Sequence, residues 1–464
     1  MFGTRWYLSD TALLDRLNSL SRGESRRLYE VIELGGQRFF VKTFNEKGIG
    51  ALFRNLFSPR AKREFLMARR LLGLSIPVPE PIGYGVSLKA SFIVERYIDG
   101  QDLKEALRRS QRRQILERLA WLVKKLNDSH TLHRDLHLGN IRVREGIPYL
   151  LDLHKAQVKR WFSRQDVILN VAQLLHPLWH DMTREEKALF LDRYGEEIEG
   201  ALERKMGALR RDWTKRKEKR AFRSTSKILL RGRFIIIRGE EERKGKFIEL
   251  VKSDRKVRIE RFEDHLRKYY RSRGRWKRAW KNHVVLLYMG LSVTPRPFYA
   301  RKPSLFSSAF IAMEDLKGRG EELDRYVDGA FNFLSYGQRR KFIERLSRFF
   351  LFLFKNGIYH KDLKACNIFV LTDGTFRLLD VEDISFEELT LRDVKRMLVQ
   401  LNSSIPTKVS LKDRLRFFVP IARSLGVETR RLFKEIVGES LKREVVYEGS
   451  MGLRIERWES EGHR

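Results

Sequence analysis

His133-Arg-Asp-Leu-His-Leu-Gly-Asn140 and His360-Lys-Asp-Leu-Lys-Ala-Cys-Asn367 are two forms of one motif, a His-x-Asp followed by an asparagine, related by a numbering shift of 227 (360 − 133). A second echo follows each. Tyr149-Leu-Leu-Asp-Leu-His154 returns as Arg377-Leu-Leu-Asp-Val-Glu382, shifted by 228. Upstream, Gly73-Leu-Ser-Ile-Pro-Val-Pro-Glu-Pro81 matches Gly290-Leu-Ser-Val-Thr-Pro-Arg-Pro297, shifted by 217 at the glycine. A period this long exceeds any solenoid repeat and implies two copies of one domain. The 464 residues leave room for that, at about 150 residues per domain.

The motif carries a chemistry. Asp135 precedes Asn140 by five residues, and Asp152 comes a short way further on, just after an apolar strand. Phosphoryl transfer needs these parts: one carboxylate to orient a hydroxyl and accept its proton, and an asparagine with a second carboxylate to hold magnesium against the nucleotide phosphates. Phe39-Phe-Val-Lys42 places a lysine on a strand from which it can reach the phosphates of ATP, and Glu64 on the next helix is its natural ion-pair partner. Singly, Lys42 reads as a strand lysine, Glu64 as a surface helix charge, and Asn140 and Asp152 as turn residues. Five in order, three of them repeated, point to a kinase. The candidate catalytic residues are therefore Asp135 and Asp362. The nucleotide-binding pair is Lys42 and Glu64, and the Mg2+ ligands are Asn140, Asp152, Asn367 and Asp380. His133 and His360 read as braces of the loop.

Local patterns place strands first and helices later in each copy. Tyr29 to Lys42 reads as a hairpin around Gly35-Gly36, and Phe247 to Phe262 as its counterpart turning at Ser253-Asp254. Helical periodicity runs over 60–74, which stops at Gly73 and the proline cluster, and over 111–132 and 338–354, each of which runs into a His-x-Asp motif. The expected fold class is α+β, protein-kinase-like, in two tandem bilobal domains, each with a small β-rich N-lobe and a helical C-lobe. The boundaries are 1–205 and 225–445, with a basic linker or helix at 206–224 and a tail at 446–464. A phosphate-covering turn is weakly signalled, at Ser21–Ser25 in the first copy and Arg238–Gly245 in the second.

The copies differ. A gap-free alignment of Tyr29 with Phe247 puts Glu260 where Lys42 stands, and Asn282 or Ala279 where Glu64 stands. On that alignment the second copy keeps Asp362, Asn367 and Asp380 but lacks both halves of the lysine–glutamate pair. It is then either a kinase with altered nucleotide clamping or a degenerate binding domain.

Composition narrows the partners. Lysine and arginine number 95 against 60 aspartates and glutamates, a net charge of +35. The hydrophobic share of 42% is ample for folded cores and argues against a disordered basic chain. A single cysteine, Cys366, excludes an intramolecular disulfide and a cysteine-built zinc site. No apolar h-region follows Met1 and no apolar run reaches the ~20 residues of a bilayer span. The partner should be anionic. The stretch from Arg267 to Lys281 interleaves arginine with tyrosine and tryptophan, as an interfacial segment or a basic structural helix would.

These motifs resemble the lipopolysaccharide kinase family, whose members phosphorylate Kdo or heptose of the inner core. Leu151-Asp-Leu-His-Lys-Ala-Gln157 is similar to that family's segment at the metal aspartate. Ala279-Trp-Lys-Asn-His283 with Gly290-Leu-Ser-Val-Thr-Pro-Arg-Pro297 resembles its small-lobe helix and following turn, and His360 to Ile368 its catalytic loop. The resemblance covers roughly 25–200 and 225–430. Two departures stand out: Asn140 and Asn367 where the heptose-kinase branch often has histidine, and the tandem arrangement. The resemblance implies an ATP- and Mg2+-dependent transferase acting on a lipopolysaccharide core or lipid A-core acceptor. It implies a cytoplasmic protein, peripheral on the anionic inner face of the inner membrane, with nucleic acid disfavoured as a partner. The competing readings are a protein or small-molecule kinase, since the chemistry serves any hydroxyl, and a tandem pseudokinase adaptor at an anionic surface.

Overall fold

The hairpin at Gly35-Gly36 forms because both glycines take positive φ (57° and 70°), the turn that matches the twist of paired strands. It joins β2 (Arg27–Leu34) to β3 (Gln37–Asn45) in full register. The computed structural model describes residues 4–458 apart from 9, 19–26, 47–52, 54, 56, 109–110, 180–181, 195–197, 306 and 450–451. The turn expected at Ser21–Ser25 lies outside the described residues. The chain divides into two compact units, Met1–Leu209 and Arg210–Arg464.

In the N-terminal unit, β1 (Arg5–Tyr7), β4 (Pro81–Val86) and β5 (Ala90–Arg96) complete an antiparallel sheet of order β1-β4-β5-β3-β2. One face is covered by α1 (Thr11–Asn18), through Leu13 and Leu17 against Phe39, Val41 and Val94. The other faces α2 (Arg60–Gly73), whose Ala61 packs with Phe44, Tyr84 and Ile93. The helical lobe follows. In α3 (Arg112–Asp128), Ile115, Leu116, Leu119, Leu122, Val123 and Leu126 recur at helical spacing and are buried. Next come the short hairpin β6 (Ile141–Arg144) and β7 (Ile147–Leu150). Then come α4 (Arg164–Leu175), started by a Ser163–Asp166 capping box, and α5 (Arg184–Tyr194). The helix α6 (Glu199–Arg220) contains the division between the units and covers most of the stretch expected as a basic linker or helix.

The C-terminal unit opens on a seven-stranded sheet. Its strands are β8 (Ile228–Arg231), β9 (Phe234–Ile237), β10 (Phe247–Ser253), β11 (Val257–Phe262), β12 (Leu266–Tyr270), β13 (Pro297–Arg301) and β14 (Ala309–Met313). Their order is β8-β9-β13-β14-β12-β11-β10. The four strands β13-β14-β12-β11 repeat the order β4-β5-β3-β2. The helix α7 (Arg273–Met289) starts on the Ser272 cap and stops at Gly290, in the left-handed conformation that favours glycine. Behind it lie α8 (Tyr336–Lys355), the hairpin β15 (Ile368–Leu371) and β16 (Phe376–Leu378), then α9 (Leu391–Asn402), α10 (Leu411–Ser424) and α11 (Thr429–Leu441), around a phenylalanine-rich core.

Three expectations change. The tail from 446 carries a folded hairpin, β17 (Val445–Gly449) with β18 (Gly452–Glu456). It is tied down where the Glu448 N–H donates to Asp324 (2.9 Å) and the Thr407 hydroxyl to Glu456 (2.7 Å). Three of the four aromatic residues of Arg267–Lys281 are core rather than interface, and Tyr269 is partly buried. Tyr270, Trp276 and Trp280 are buried, and the indole N–H groups donate to Phe310 O (3.3 Å) and Ala221 O (2.8 Å). Finally, β10 pairs on the outer edge of β11, whereas among the described residues no strand lies on that edge of β2. The partner of β2–β3 is therefore β11–β12, and the alignment that put Glu260 at the lysine position is displaced by one strand.

Candidate active site

In the N-terminal unit Lys42 sits on β3, buried, and its ammonium donates to both Glu64 oxygens (3.0 and 3.1 Å) and to Asp152 Oδ1 (2.5 Å). Glu64 points inward from α2 and also accepts from the Leu153 N–H (3.0 Å), so one carboxylate holds the strand lysine and the loop together. Asp152 occupies the left-handed region (φ 58°), unusual for a residue with a Cβ and held here by its neighbours. His154 Nδ1 bonds the same carboxylate oxygen. Burial alone would raise Asp152, but the hydrogen bond from His154 and the charge of Lys42 outweigh it and keep the carboxyl far below the usual range. Lys42 is pushed up: burial opposes its charge, and Glu64 and Asp152 more than offset that.

The catalytic loop reaches this cluster through the asparagine. Asn140 Nδ2 donates to Asp135 O (2.9 Å), and Asn140 O accepts the Leu151 N–H (2.8 Å) one residue before Asp152. With one amide N–H given to the backbone, the Asn140 side chain keeps its carbonyl oxygen as a free acceptor. Asp135 itself takes the Lys155 ammonium (2.5 Å). Two side chains of α4, which the sequence reading missed, position the loop. Asn170 accepts the His133 N–H (3.2 Å), and Gln173 accepts the Leu136 N–H (3.3 Å) while donating to Arg134 O (3.2 Å).

The C-terminal unit builds the same frame differently. Asn367 Nδ2 donates to Asp362 O (2.7 Å), and Leu379 N donates to Asn367 O (2.8 Å). His360 bonds Leu379 O (3.1 Å), so its ring does brace the loop. Asp380 again has positive φ (47°). Its lysine is Lys268 on β12, buried, at 2.7 Å from Asp380 and 3.1 Å from Glu382. Lys268 registers opposite Ile311 on β14 as Lys42 registers opposite Ile93 on β5. The numbering shift between the two lysines, 226 (268 − 42), agrees with the loop shift of 227, a signal available in the sequence. Glu260 instead pairs with Arg258 on its own strand (3.1 Å). The second copy therefore has its lysine.

Its carboxylate has moved. Helix α7 offers no acid; Asn282 holds the loop instead, donating to Val381 O (2.8 Å) and Ile384 O (2.7 Å). Glu382, at the place of His154, supplies the charge, and Tyr270 OH (3.4 Å) and Arg275 (3.6 Å) lie against it. Gln400 repeats Gln173 at the shift of the catalytic loops, accepting from Leu363 N (3.0 Å) and donating to Lys361 O (2.6 Å). The shared Gln-Leu after each motif could have revealed the pair.

Two consequences are measurable. Gln173→Ala and Gln400→Ala are expected to lower turnover about tenfold by loosening the loop, with nucleotide affinity unchanged; equal losses in both quantities would show a general structural fault. Two buried histidines also couple folding to pH. Burial pushes His133 down to about 4 and, with the charge of Lys268, His283 down to about 3. Both are neutral in the folded chain while the unfolded chain protonates near 6.5. Stability is thus full above that pH and falls as pH drops from ~6.5 toward 4, by on the order of a few kcal/mol. Urea midpoints at pH 7 and 5 should show it, and His283→Gln should flatten the slope.

Donor chemistry here suits a hard cation: carboxylates of Asp152 and Asp380 with amide oxygens of Asn140 and Asn367. Glu64, Asp152 and His154 also offer ligand atoms within 4.8 Å of one another. Among known proteins, the profile of the lipopolysaccharide kinase (Kdo/WaaP) family matches residues 20–194 and 286–418, more than half the chain. The KEOPS complex subunit Bud32 of Pyrococcus abyssi (strain GE5 / Orsay) is 28% identical over 134 residues, 27% of this chain, which spans about 60% of that relative's length. An aminoglycoside-3'-phosphotransferase of type VIII is similar at 17% identity and a TM-score of 0.29, over 42% of this chain and 86% of the other. With the motifs of a kinase in order in each unit, and with matched segments that cover Lys42 to Asp152 in the first and Asp362 to Asp380 in the second, the chain has a protein-kinase-like fold and belongs to the lipopolysaccharide kinase (Kdo/WaaP) family.

Proposed function

We propose that this protein transfers the γ-phosphoryl group of ATP to a sugar hydroxyl, Kdo or heptose, of the lipopolysaccharide inner core. The observation that carries the reading is the continuous connection from Lys42 through Asp152 and Asn140 to Asp135, formed again from Lys268 to Asp362. Asp135 and Asp362 accept the proton of the attacking hydroxyl as its oxygen bonds phosphorus and ADP leaves with the bridging oxygen. Lys42, fixed by Glu64, and Lys268, fixed by Glu382, position the phosphates. Asn140 with Asp152, and Asn367 with Asp380, would hold Mg2+, which when bound neutralises charge on the phosphates. We assign the two kinase-like domains to 1–205 and 225–445.

The acceptor class follows from charge as well as family. Core sugars and lipid A are rich in phosphate and carboxylate, and a chain at +35 is drawn to them and to an anionic membrane face, by ~1 kcal/mol per basic residue near the surface. Among the described residues no helix is long and apolar enough to cross a membrane. We place the protein at the cytoplasmic face of the inner membrane. Mass spectrometry of lipopolysaccharide from a strain lacking it should show phosphate missing from the core; an unchanged core defeats the assignment.

A further inference from the structure

Glu95 is a buried acid that the proposed transfer chemistry does not use. It lies on β5 two residues past Ile93, which registers opposite Lys42. Side chains alternate along a strand, so Ser91, Ile93 and Glu95 share the face that carries Lys42. Phe39, Val41 and Val94 occupy the opposite face, under α1. Glu95 thus stands about 7 Å along the sheet from the point facing the lysine, on the side where the chain leaves the sheet for the helical lobe.

The residue is only 6% exposed, and among the described residues its carboxyl has no hydrogen-bond partner. Lys42, whose charge acts on Glu95, is committed to Glu64 and Asp152. Leaving a buried carboxyl unpaired is costly, and a fold has no need to do it. The C-terminal unit shows this: Met313, two residues past Ile311 opposite Lys268, takes the same place in the other sheet and is also buried. The acid is therefore a feature of one site. The charged groups that face it are Glu64 from α2, Lys42 from β3 and Asp152 from the loop after β7. Burial and the Glu64 carboxylate, opposed by Lys42, push Glu95 up to about 8, so at neutral pH it presents one O–H and one C=O in a plane.

We infer that Glu95 reads the base of the nucleotide in the N-terminal site, hydrogen-bonding the 6-amino group and adjacent ring nitrogen of adenine. The inference rests on the phosphotransfer reading, which places triphosphate at Lys42 and so leaves the base to lie farther along the same sheet face. Adenine offers a donor beside an acceptor, the complement of a neutral carboxylic acid, and so supplies the partners that Glu95 lacks within the chain. A site with a buried polar group rejects a ligand that lacks the matching group.

Binding to the full-length chain tests it, with Asp380→Asn present throughout to weaken the C-terminal site. Mg-ATP is compared with the triphosphate of purine riboside, which lacks the 6-amino group, by calorimetry. The Glu95 protein should prefer ATP by about 10–100-fold. Glu95→Gln, which keeps one donor and one acceptor, should retain that ratio within about threefold. Glu95→Met should bring it close to one while circular dichroism and the melting transition show a folded chain. An undiminished ratio in Glu95→Met, or no preference in the Glu95 protein, overturns the inference and leaves phosphotransfer standing. Failure of the Glu95 protein to bind either triphosphate overturns both.

Discussion

The chain carrying both Asp135→Ala and Asp362→Ala should lose phosphate transfer by a factor of about 10²–10⁴, the usual contribution of a positioned base, while binding Mg-ATP as before. Each aspartate is held by its own loop, with Asn140 on Asp135 O and Asn367 on Asp362 O, so truncating the carboxylate leaves the backbone bonds in place. The side chains are partly exposed, at 30% and 45%, which keeps the cost to folding small. Each single variant reports the share of the other unit. Asp135 meets Lys155 (2.5 Å) and Asp362 meets Lys364 (3.2 Å). Labelled ATP with extracted core oligosaccharide is the assay, and undiminished transfer by the double variant would falsify the proposed role of these residues.

Lys268→Met should be the most damaging single change in the C-terminal unit. It leaves Asp380 and Glu382 without their shared cation, and breaking a buried pair from one side costs about 3–5 kcal/mol. Burial opposes the charge of Lys268, yet Asp380 and Glu382 together raise its pKa, so the ammonium is a fixed part of the unit. In a Lys42→Met background the variant should also lose the remaining magnesium-dependent nucleotide binding. Glu260→Gln is the control: its partner Arg258 is half exposed, and the expected change is below about 1 kcal/mol, with nucleotide binding intact. Denaturation midpoints together with calorimetric titration separate the two residues. The opposite ranking would return the lysine position to Glu260 and make the C-terminal unit a clampless domain.

The site was legible to the extent that its chemistry lies on short contiguous stretches. His-x-Asp, the asparagine and the second aspartate fall close together in the chain of each copy, and such a loop tolerates little variation in spacing. Lys42 and Glu64 could be paired because Glu64 lies in the first stretch of clear helical periodicity after the strand. Helices such as Arg112–Asp128 were legible because their apolar residues repeat at the helical period over several turns.

What the sequence by itself determined is the duplication and the order of the kinase-like motifs. The 226-residue shift points to the second lysine, but which carboxylate pairs with it was decided only by tertiary structure. Strand pairing is non-local, and the strand β10, which has no counterpart among the described residues of the N-terminal unit, displaces the register without leaving a mark in composition. A carboxylate can likewise reach one ammonium from a helix, as Glu64 does, or from the loop after Asp380, as Glu382 does. Those two glutamates hold unrelated places in their copies of the domain, one before the catalytic loop and one after it. What they share is only the point in space where a buried lysine requires negative charge.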